Sequence, residues 1–317
     1  MSAAKNSTVT ETIASAETEP NHRVRGRFAP SPTGDLHVGS LTTAVGSYLD
    51  AKSRRGEWLV RIENCDRPRE VPGAADRILH TLESFGLQWD GAVWFQHERT
   101  EAYAAALDLL RSKGRVYPCS CTRRDLAKGA TPEPRYPGHC RAGPRRSDGP
   151  HAIRFDTQHD GTLTYTDRLR GVQRCEMPPS VGDFLLRRRD GFYAYQLAVV
   201  VDDAAQGISD VVRGADLLDN TPRQRLLQEA LGHASPAYMH LPLVVDPTGA
   251  KLAKSRRALP ANRADAPKLL SHILAALGHE PPQMLHAAPV ALQLAWALQN
   301  WNIFKIQYDK EILLPDL

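Results

Sequence analysis

The sequence lacks long hydrophobic runs. Its 317 residues contain no stretch of 18 consecutive apolar side chains, so no membrane-spanning helix is expected. The first 22 residues have no basic segment followed by an apolar one, which argues against an export signal. Their small polar composition predicts a disordered tail. With no targeting signal, the cytoplasm is the expected location.

Cysteine is scarce, with five residues in all, and an odd number argues against a complete set of disulfides. Three of the five, Cys119, Cys121 and Cys140, nevertheless lie close together in the chain. In a reducing compartment such a cluster predicts a metal site. Tetrahedral zinc takes four ligands from Cys, His or oxygen donors, so a fourth ligand must accompany them. From residue type alone, His139 is the first choice.

The net charge is +4 and the sequence pI is about 8.8, which permits a nucleic-acid partner without requiring one. Several arginines surround the cysteines. They could contact RNA phosphates or remain solvated, and both interpretations stay open. These arginines are Arg123, Arg124, Arg135 and Arg141.

Hydrophobic periodicity predicts an alternation of strands and helices. A helix is expected to begin near His37, WLVRIE (58–63) predicts a strand, and amphipathic helices are predicted over 74–85 and 101–112. FYAYQLAVVVDD (192–203) reads as a further strand. This alternation predicts an α/β layered domain.

Two loops have the composition of a phosphate site. FAPSPTGDLH leads into the first helix, whose free N–H groups and dipole favour anions. Gly39 leaves room for a nucleotide near the backbone, and His37 can donate to a phosphate oxygen. Far downstream, Lys251 and Lys254 lie in a loop after LPLVVD, where mobile cations could stabilise a reacting phosphate.

These loops resemble those of a known family. RFAPSPTGDLHVGS (27–40) resembles the signature of class I aminoacyl-tRNA synthetases of the glutamyl subgroup, and KLAKS (251–255) resembles their second lysine-containing motif, with Ala253 in place of the usual serine. The resemblance implies a Rossmann-like catalytic domain that uses ATP and Mg²⁺. It implies catalytic roles for His37 and Lys254. The implied ATP-binding residues are His37, Gly39, Ser40, Lys251 and Lys254.

The same resemblance implies a pocket for L-glutamate. Glutamate presents two carboxylates and an ammonium, so a specific site needs an arginine for carboxylate binding and an acid for the amino group. Arg213 is the expected partner of the side-chain carboxylate, Glu63 that of the amino group, and Tyr195 closes the pocket. The implied set is Arg27, Ala29, Ser31, Glu63, Tyr195 and Arg213.

The metal cluster and the chain length resemble those of the short glutamyl-tRNA synthetase-like enzymes. Their C-x-C…Y-x-x-x-C pattern makes Tyr136 the implied fourth ligand of a structural Zn²⁺, with His139 as the alternative. Such enzymes lack the anticodon-binding half, and the implied acceptor is queuosine in the anticodon loop of tRNA(Asp). A monomer is expected. The alternatives are a minimal synthetase that charges a tRNA 3′ end, and a non-catalytic paralogue that binds an amino acid or RNA.

The predicted organisation has five parts. A zinc-bearing insertion divides the Rossmann-like domain, and a short helical region follows it. The predicted ranges are 1–22 for the tail, 23–118 and 189–260 for the two halves of the catalytic domain, 119–188 for the insertion, and 261–317 for the helical region.

Overall fold

The computed structural model describes residues 23–126, 136, 138–177, 180–245, 265–308 and 311–313. A seven-stranded sheet forms its centre. All neighbouring strands in it are parallel except the last pair, which forms an antiparallel hairpin. From edge to edge the order is β3 (Trp94–Phe95), β2 (Glu57–Ile62), β1 (Arg25–Phe28), β9 (Asp210–Gly214), β10 (Ala237–Leu241), β6 (Thr162–Asp167) and β7 (Gly171–Glu176).

Two smaller sheets, eight α-helices and five short 3-10 helices complete the described structure. One sheet is antiparallel, in the order β4 (Val116–Cys119), β5 (Ala152–Phe155) and β8 (Phe184–Arg187); the other pairs β11 (Val244–Val245) with β12 (Ile312–Leu313). The helices are α1 (Val38–Ser53), α2 (Ala74–Ser84), α3 (Thr100–Ser112), α4 (Arg123–Leu126), α5 (Tyr195–Ala205), α6 (Thr221–Leu231), α7 (Ala266–Ala276) and α8 (Val290–Asn300).

The strand order creates a crevice between β1 and β9. The chain runs from β1 through α1 to β2 on one side, and from β9 through α6 to β10 on the other. In open α/β sheets, ligands bind outside the carboxyl ends of the strands where the order reverses in this way. The crevice is therefore the expected position of a ligand-binding site.

The largest hydrophobic cluster joins the main sheet to the C-terminal helices. Leu41 and Leu49 of α1 pack with Ile62 of β2, and the same cluster includes Leu270 and Ile273 of α7. The C-terminal helices are thus packed onto the main sheet. Within the residues that can be described, no helix combines the length and the apolar character needed to cross a membrane.

The structure differs from two sequence expectations. FYAYQLAVVVDD does not form a strand, because from Tyr195 onward it is the helix α5. A short apolar run can be a buried helix or a buried strand, and α5 is apolar enough to resemble either. Residues 162–176, inside the predicted insertion 119–188, form β6 and β7 of the main sheet.

Candidate active site and metal site

His37 caps the first helix at the carboxyl end of β1. Its extended backbone places the ring over the helix start, where Nδ1 accepts from the backbone N–H of Ser40 at 3.2 Å and Nε2 lies 2.9 Å from Ser40 Oγ. Burial lowers the pKa of His37, against the opposing charge of Asp216. The ring is therefore neutral at neutral pH, with its proton on Nε2.

The absence of a side chain at Gly39 leaves room for the His37 ring. A Cβ at this position would lie 3.3 Å from His37 Nδ1 and 3.7 Å from Val244 Cβ. The strand that precedes the two lysines thus passes beside the start of α1. Lys251 and Lys254, and with them Ala253, lie outside the described residues.

Five of the six residues implied for glutamate lie around the crevice. Arg27 belongs to β1, Glu63 follows β2, Arg213 belongs to β9 and Tyr195 begins α5. Burial raises the pKa of Tyr195, and the charges of Arg213, Glu63 and Arg27 all act on its hydroxyl, so these four side chains converge. Ser31 and Glu63 line one cavity of about 190 Å³.

Ala29, the sixth implied residue, lies between Phe28 at the end of β1 and the Pro-Ser-Pro loop, and it is partly buried. Its methyl group offers no polar contact. Ala29 can therefore offer only backbone groups to a ligand in the crevice.

Glu63 has a buried oxygen with no partner. Its side chain is 8% exposed, and Oε1 accepts no hydrogen bond, with Arg61 Nη2 3.7 Å away. Burial raises the pKa of Glu63 to about 7, although the charges of Arg61 and Arg27 oppose this. A buried carboxylate without a hydrogen bond is costly, so this atom is poised for a cationic ligand.

Arg27 is held from below by a shared aspartate. Asp203 Oδ1 accepts from Arg27 Nε at 3.2 Å and from Arg61 Nη2 at 2.7 Å. Its neighbour Asp202 accepts from Arg99 Nε at 3.0 Å and from Tyr103 Oη at 2.7 Å. These two aspartates were not predicted as support for the site, because the run that they end reads as a strand. The signal that could have indicated them is the pair of acids at the end of an apolar run.

Arg213 is a buried cation with neutral partners only. It is 3% exposed, Nη1 donates to Gln224 Oε1 at 2.7 Å, and Nη2 donates to Thr221 Oγ1 at 2.8 Å. Tyr195 Oη is 3.5 Å from Nη1. No acidic side chain in the described part of the chain pairs with it. A guanidinium in this state lacks the anion that normally accompanies a buried charge.

The three clustered cysteines meet beyond β4. The sulfur atoms of Cys119, Cys121 and Cys140 lie within 4.8 Å of one another, and those of Cys121 and Cys140 are 3.6 Å apart. Tetrahedral zinc with Zn–S bonds of about 2.3 Å holds its sulfur ligands about 3.8 Å apart. The thiol geometry therefore fits a zinc ion.

The Tyr136 hydroxyl lies among these sulfur atoms, whereas His139 does not join them. The Tyr136 hydroxyl is 3.3 Å from Cys119 Sγ and 3.6 Å from Cys121 Sγ, whereas His139 belongs to no such group. Arg154 stacks on the Tyr136 ring at 3.8 Å and donates to Cys119 Sγ at 3.3 Å. Its charge offsets the negative charge that thiolate ligands bring.

Comparison with known proteins gives the family. The family model described as "tRNA synthetases class I (E and Q), catalytic domain" matches residues 23–281. A protein of Pseudomonas aeruginosa (strain LESB58) named glutamyl-Q tRNA(Asp) synthetase is 52% identical over 89% of this chain and 94% of its own. A protein of the same name from Dechloromonas aromatica (strain RCB) is 49% identical over 93% of this chain and 99% of its own. The chain belongs to the glutamyl-Q tRNA(Asp) synthetase family.

Solved structures agree with the class I synthetase fold. A glutamate tRNA ligase from Elizabethkingia meningosepticum CCUG26117, in complex with its amino acid, superposes with a TM-score of 0.78 at 26% identity. The match covers 92% of this chain and 67% of that one. A glutamate-tRNA synthetase from Elizabethkingia anophelis gives the same TM-score. The predicted class I synthetase fold and ligase class are thereby confirmed.

Proposed function

We propose that this enzyme activates L-glutamate with ATP, without needing tRNA, and then transfers the glutamyl group to queuosine in the anticodon loop of tRNA(Asp). The printed name of its relatives, glutamyl-Q tRNA(Asp) synthetase, supports this acceptor over a tRNA 3′ end. The expected monomeric state and cytoplasmic location stay predictions.

One observation carries the choice of substrate. Arg213 is a buried cation without an anion, and Oε1 of Glu63, on the neighbouring side of the crevice, is a buried oxygen that accepts no hydrogen bond. Glutamate supplies both missing partners, because its side-chain carboxylate is an anion for Arg213 and its ammonium is a hydrogen-bond donor for Glu63 Oε1. Tyr195 Oη, near both, closes the pocket over the aliphatic part, while Arg27 and Ser31 border it.

Activation places the substrate α-carboxylate against the α-phosphate of ATP. The oxygen attacks phosphorus in line, the P–O bond to pyrophosphate breaks, and glutamyl-adenylate forms. His37 Nε2 donates to a phosphate oxygen in place of its contact with Ser40 Oγ, with the N–H group of Gly39 beside it. Lys251 and Lys254 stabilise the leaving charge. Mg²⁺, bound with ATP, neutralises charge on the phosphates.

Transfer consumes the adenylate. A hydroxyl of the queuosine ring attacks the activated carbonyl carbon, the bond from that carbon to the phosphate oxygen breaks, and AMP leaves. Both steps use the same crevice, because the acyl group remains bound through Arg213 and Glu63.

The metal we propose is a structural Zn²⁺ held by Cys119, Cys121, Cys140 and Tyr136. Four protein ligands leave no open position for catalysis. The tyrosine would bind through its oxygen, with Arg154 facing its ring.

The test is glutamate-dependent ATP–pyrophosphate exchange in the absence of tRNA. We expect exchange with glutamate but not with glutamine. Arg213→Gln should raise the KM for glutamate about 100-fold, because it removes a buried charged hydrogen-bonding partner, while the KM for ATP stays unchanged. Arg111→Gln, at an exposed arginine of α3, serves as the control.

The acceptor is tested separately with labelled glutamate. Label should attach to tRNA(Asp) that contains queuosine and not to the same tRNA with guanosine at that position. Equal labelling of both would favour charging of the 3′ end. Absence of any exchange would contradict the activation step itself.

A further inference from the structure

Arg213 is held on its inner side by a histidine and not by an acid. Its Nε donates to Nε2 of His240 at 3.0 Å, and Nδ1 of that ring lies 2.6 Å from Oδ2 of Asp167. The three residues occupy adjacent strands β9, β10 and β6, and each is at most 3% exposed. They form a buried chain that runs inward from the glutamate pocket.

The hydrogen bonds determine which ring nitrogen is protonated. Arginine can only donate, so His240 Nε2 must offer its lone pair and the proton must lie on Nδ1, facing Asp167. Asp167 is itself fixed, because Oδ1 accepts the backbone N–H groups of Leu169 at 3.0 Å and Arg170 at 2.9 Å. Burial lowers the pKa of His240 and outweighs the opposing effect of Asp167, so the ring is neutral.

A neutral ring at this position has a consequence for the charge of Arg213. An acid in place of His240 would orient the guanidinium but would also neutralise it before substrate arrives. An imidazole orients Nε and leaves the positive charge uncompensated. Thr221 and Gln224 hold the two Nη atoms in the same way, through neutral oxygens.

We propose that His240 and Asp167 are positioning residues that aim an uncompensated Arg213 at the substrate side chain, and so set the preference for a carboxylate over a carboxamide. This inference rests on the proposed role of Arg213 in binding glutamate. Neither His240 nor Asp167 touches substrate, and both act through Arg213.

The isosteric change Asp167→Asn tests the proton position. Backbone N–H groups fix the asparagine oxygen, so its NH2 group must face His240 Nδ1. The ring must then carry its proton on Nε2, directed at the N–H of Arg213, and two donors would meet. We expect kcat/KM for glutamate in pyrophosphate exchange to fall about tenfold through KM, the effect of losing one hydrogen bond to a charged group. The kcat and the KM for ATP should stay within about twofold of the wild type.

The variant His240→Gln is the background in which the effect of Asp167→Asn is measured again. A glutamine side chain can place Oε1 near the position of His240 Nε2, where it accepts from Arg213 without depending on Asp167. We expect His240→Gln to keep the KM for glutamate within about threefold, and Asp167→Asn to have no further effect in that background. The preference for glutamate over glutamine should fall only in the single Asp167→Asn variant.

The outcomes are separable. An equal effect of Asp167→Asn in both backgrounds, or none in either, would overturn the positioning role while leaving the function of Arg213 intact. An unchanged KM for glutamate in Arg213→Gln would instead overturn the proposed pocket. Thermal melting of each variant, together with the KM for ATP, identifies a variant whose loss is only a folding defect.

Discussion

At the scale of single residues, the most unusual environment is that of Glu63. Its carboxyl group is buried beside Arg61 and Asp203, and burial raises its pKa to about 7. At neutral pH the group is therefore close to the boundary between its charged and uncharged forms. Only the charged form can pair with the ammonium of an amino acid.

The ionisation of Glu63 predicts how glutamate binding depends on pH. Below pH 7 Glu63 becomes protonated, so kcat/KM for glutamate should fall about 15-fold in total between pH 7 and pH 5.5. The measurement is pyrophosphate exchange at saturating ATP. Glu63→Gln should give a lower value that is independent of pH in this range.

Glu70→Gln is the matched control for Glu63→Gln, because Glu70 lines the same cavity but is partly exposed. It should keep the pH profile of the wild type. A pH dependence that survives in Glu63→Gln would assign the titration to another group and contradict the role of Glu63.

At the scale of elements, the start of α1 depends on a position without a side chain. The ring of His37 folds back over Gly39, and β11 approaches from the other side through Val244. A methyl group at residue 39 would press on His37 Nδ1, the atom that accepts the Ser40 N–H. The His37 ring therefore both caps α1 and lies at the proposed nucleotide site.

Gly39→Ala should displace the His37 ring with little change in folding. We expect kcat for pyrophosphate exchange to fall about tenfold, the loss expected for one misplaced hydrogen-bond donor to the reacting phosphate. The KM for glutamate should not change. Gly161→Ala, where a Cβ would meet nothing within 4 Å, is the control. Equal rates for both variants would contradict the role given to this helix start.

The elements show where sequence reasoning succeeds and fails. α2 and α3 were predictable because one face of each is buried and the periodicity records it. α5 was not, because its run Leu197–Val201 is buried on all sides and has no polar face to reveal the period. The hairpin of β6 and β7 was missed because β7 is largely exposed and has little hydrophobic signal.

The site was predictable only as far as its motifs extend. Arg27, Glu63, Tyr195 and Arg213 meet in the structure, although 186 positions separate the first from the last. The residues that hold these side chains in place, such as Asp203, His240 and Asp167, belong to no motif. They are defined by contacts between strands distant in the chain, and a single sequence does not record those contacts.

At the scale of the whole molecule, the proposed metal site is attached to the small sheet through Cys119 of β4, Arg154 of β5 and Asp183. Asp183 accepts from Arg141 at 2.7 Å and from Thr157 Oγ1 at 2.9 Å, and it bonds the hydroxyl of Tyr117. Arg141 directly follows Cys140. Zinc binding is therefore expected to order a loop that is fastened to β4, β5 and β8.

Removal of zinc should accordingly have a local effect. After treatment with a strong chelator, we expect hydrogen exchange to rise sharply in β4 and β5 and to stay slow in β1, β9 and β10. Cys140→Ser should reproduce this pattern and lower the zinc content, whereas His139→Ala should retain about one zinc per chain. Uniform loss of protection would show that the metal supports the entire fold.

The chain passes between the two larger sheets four times, at α3–β4, β5–β6, β7–β8 and β8–α5. An inserted module joined at two points could swing on a single hinge or be removed as a cassette. The unit of β4, β5 and β8 can do neither, because the chain crosses between the sheets four times. Between β5 and β8 the chain forms β6 and β7, and β6 pairs with β10. Deleting the chain between the two ends of the small unit would also remove an edge of the catalytic sheet, and with it Asp167.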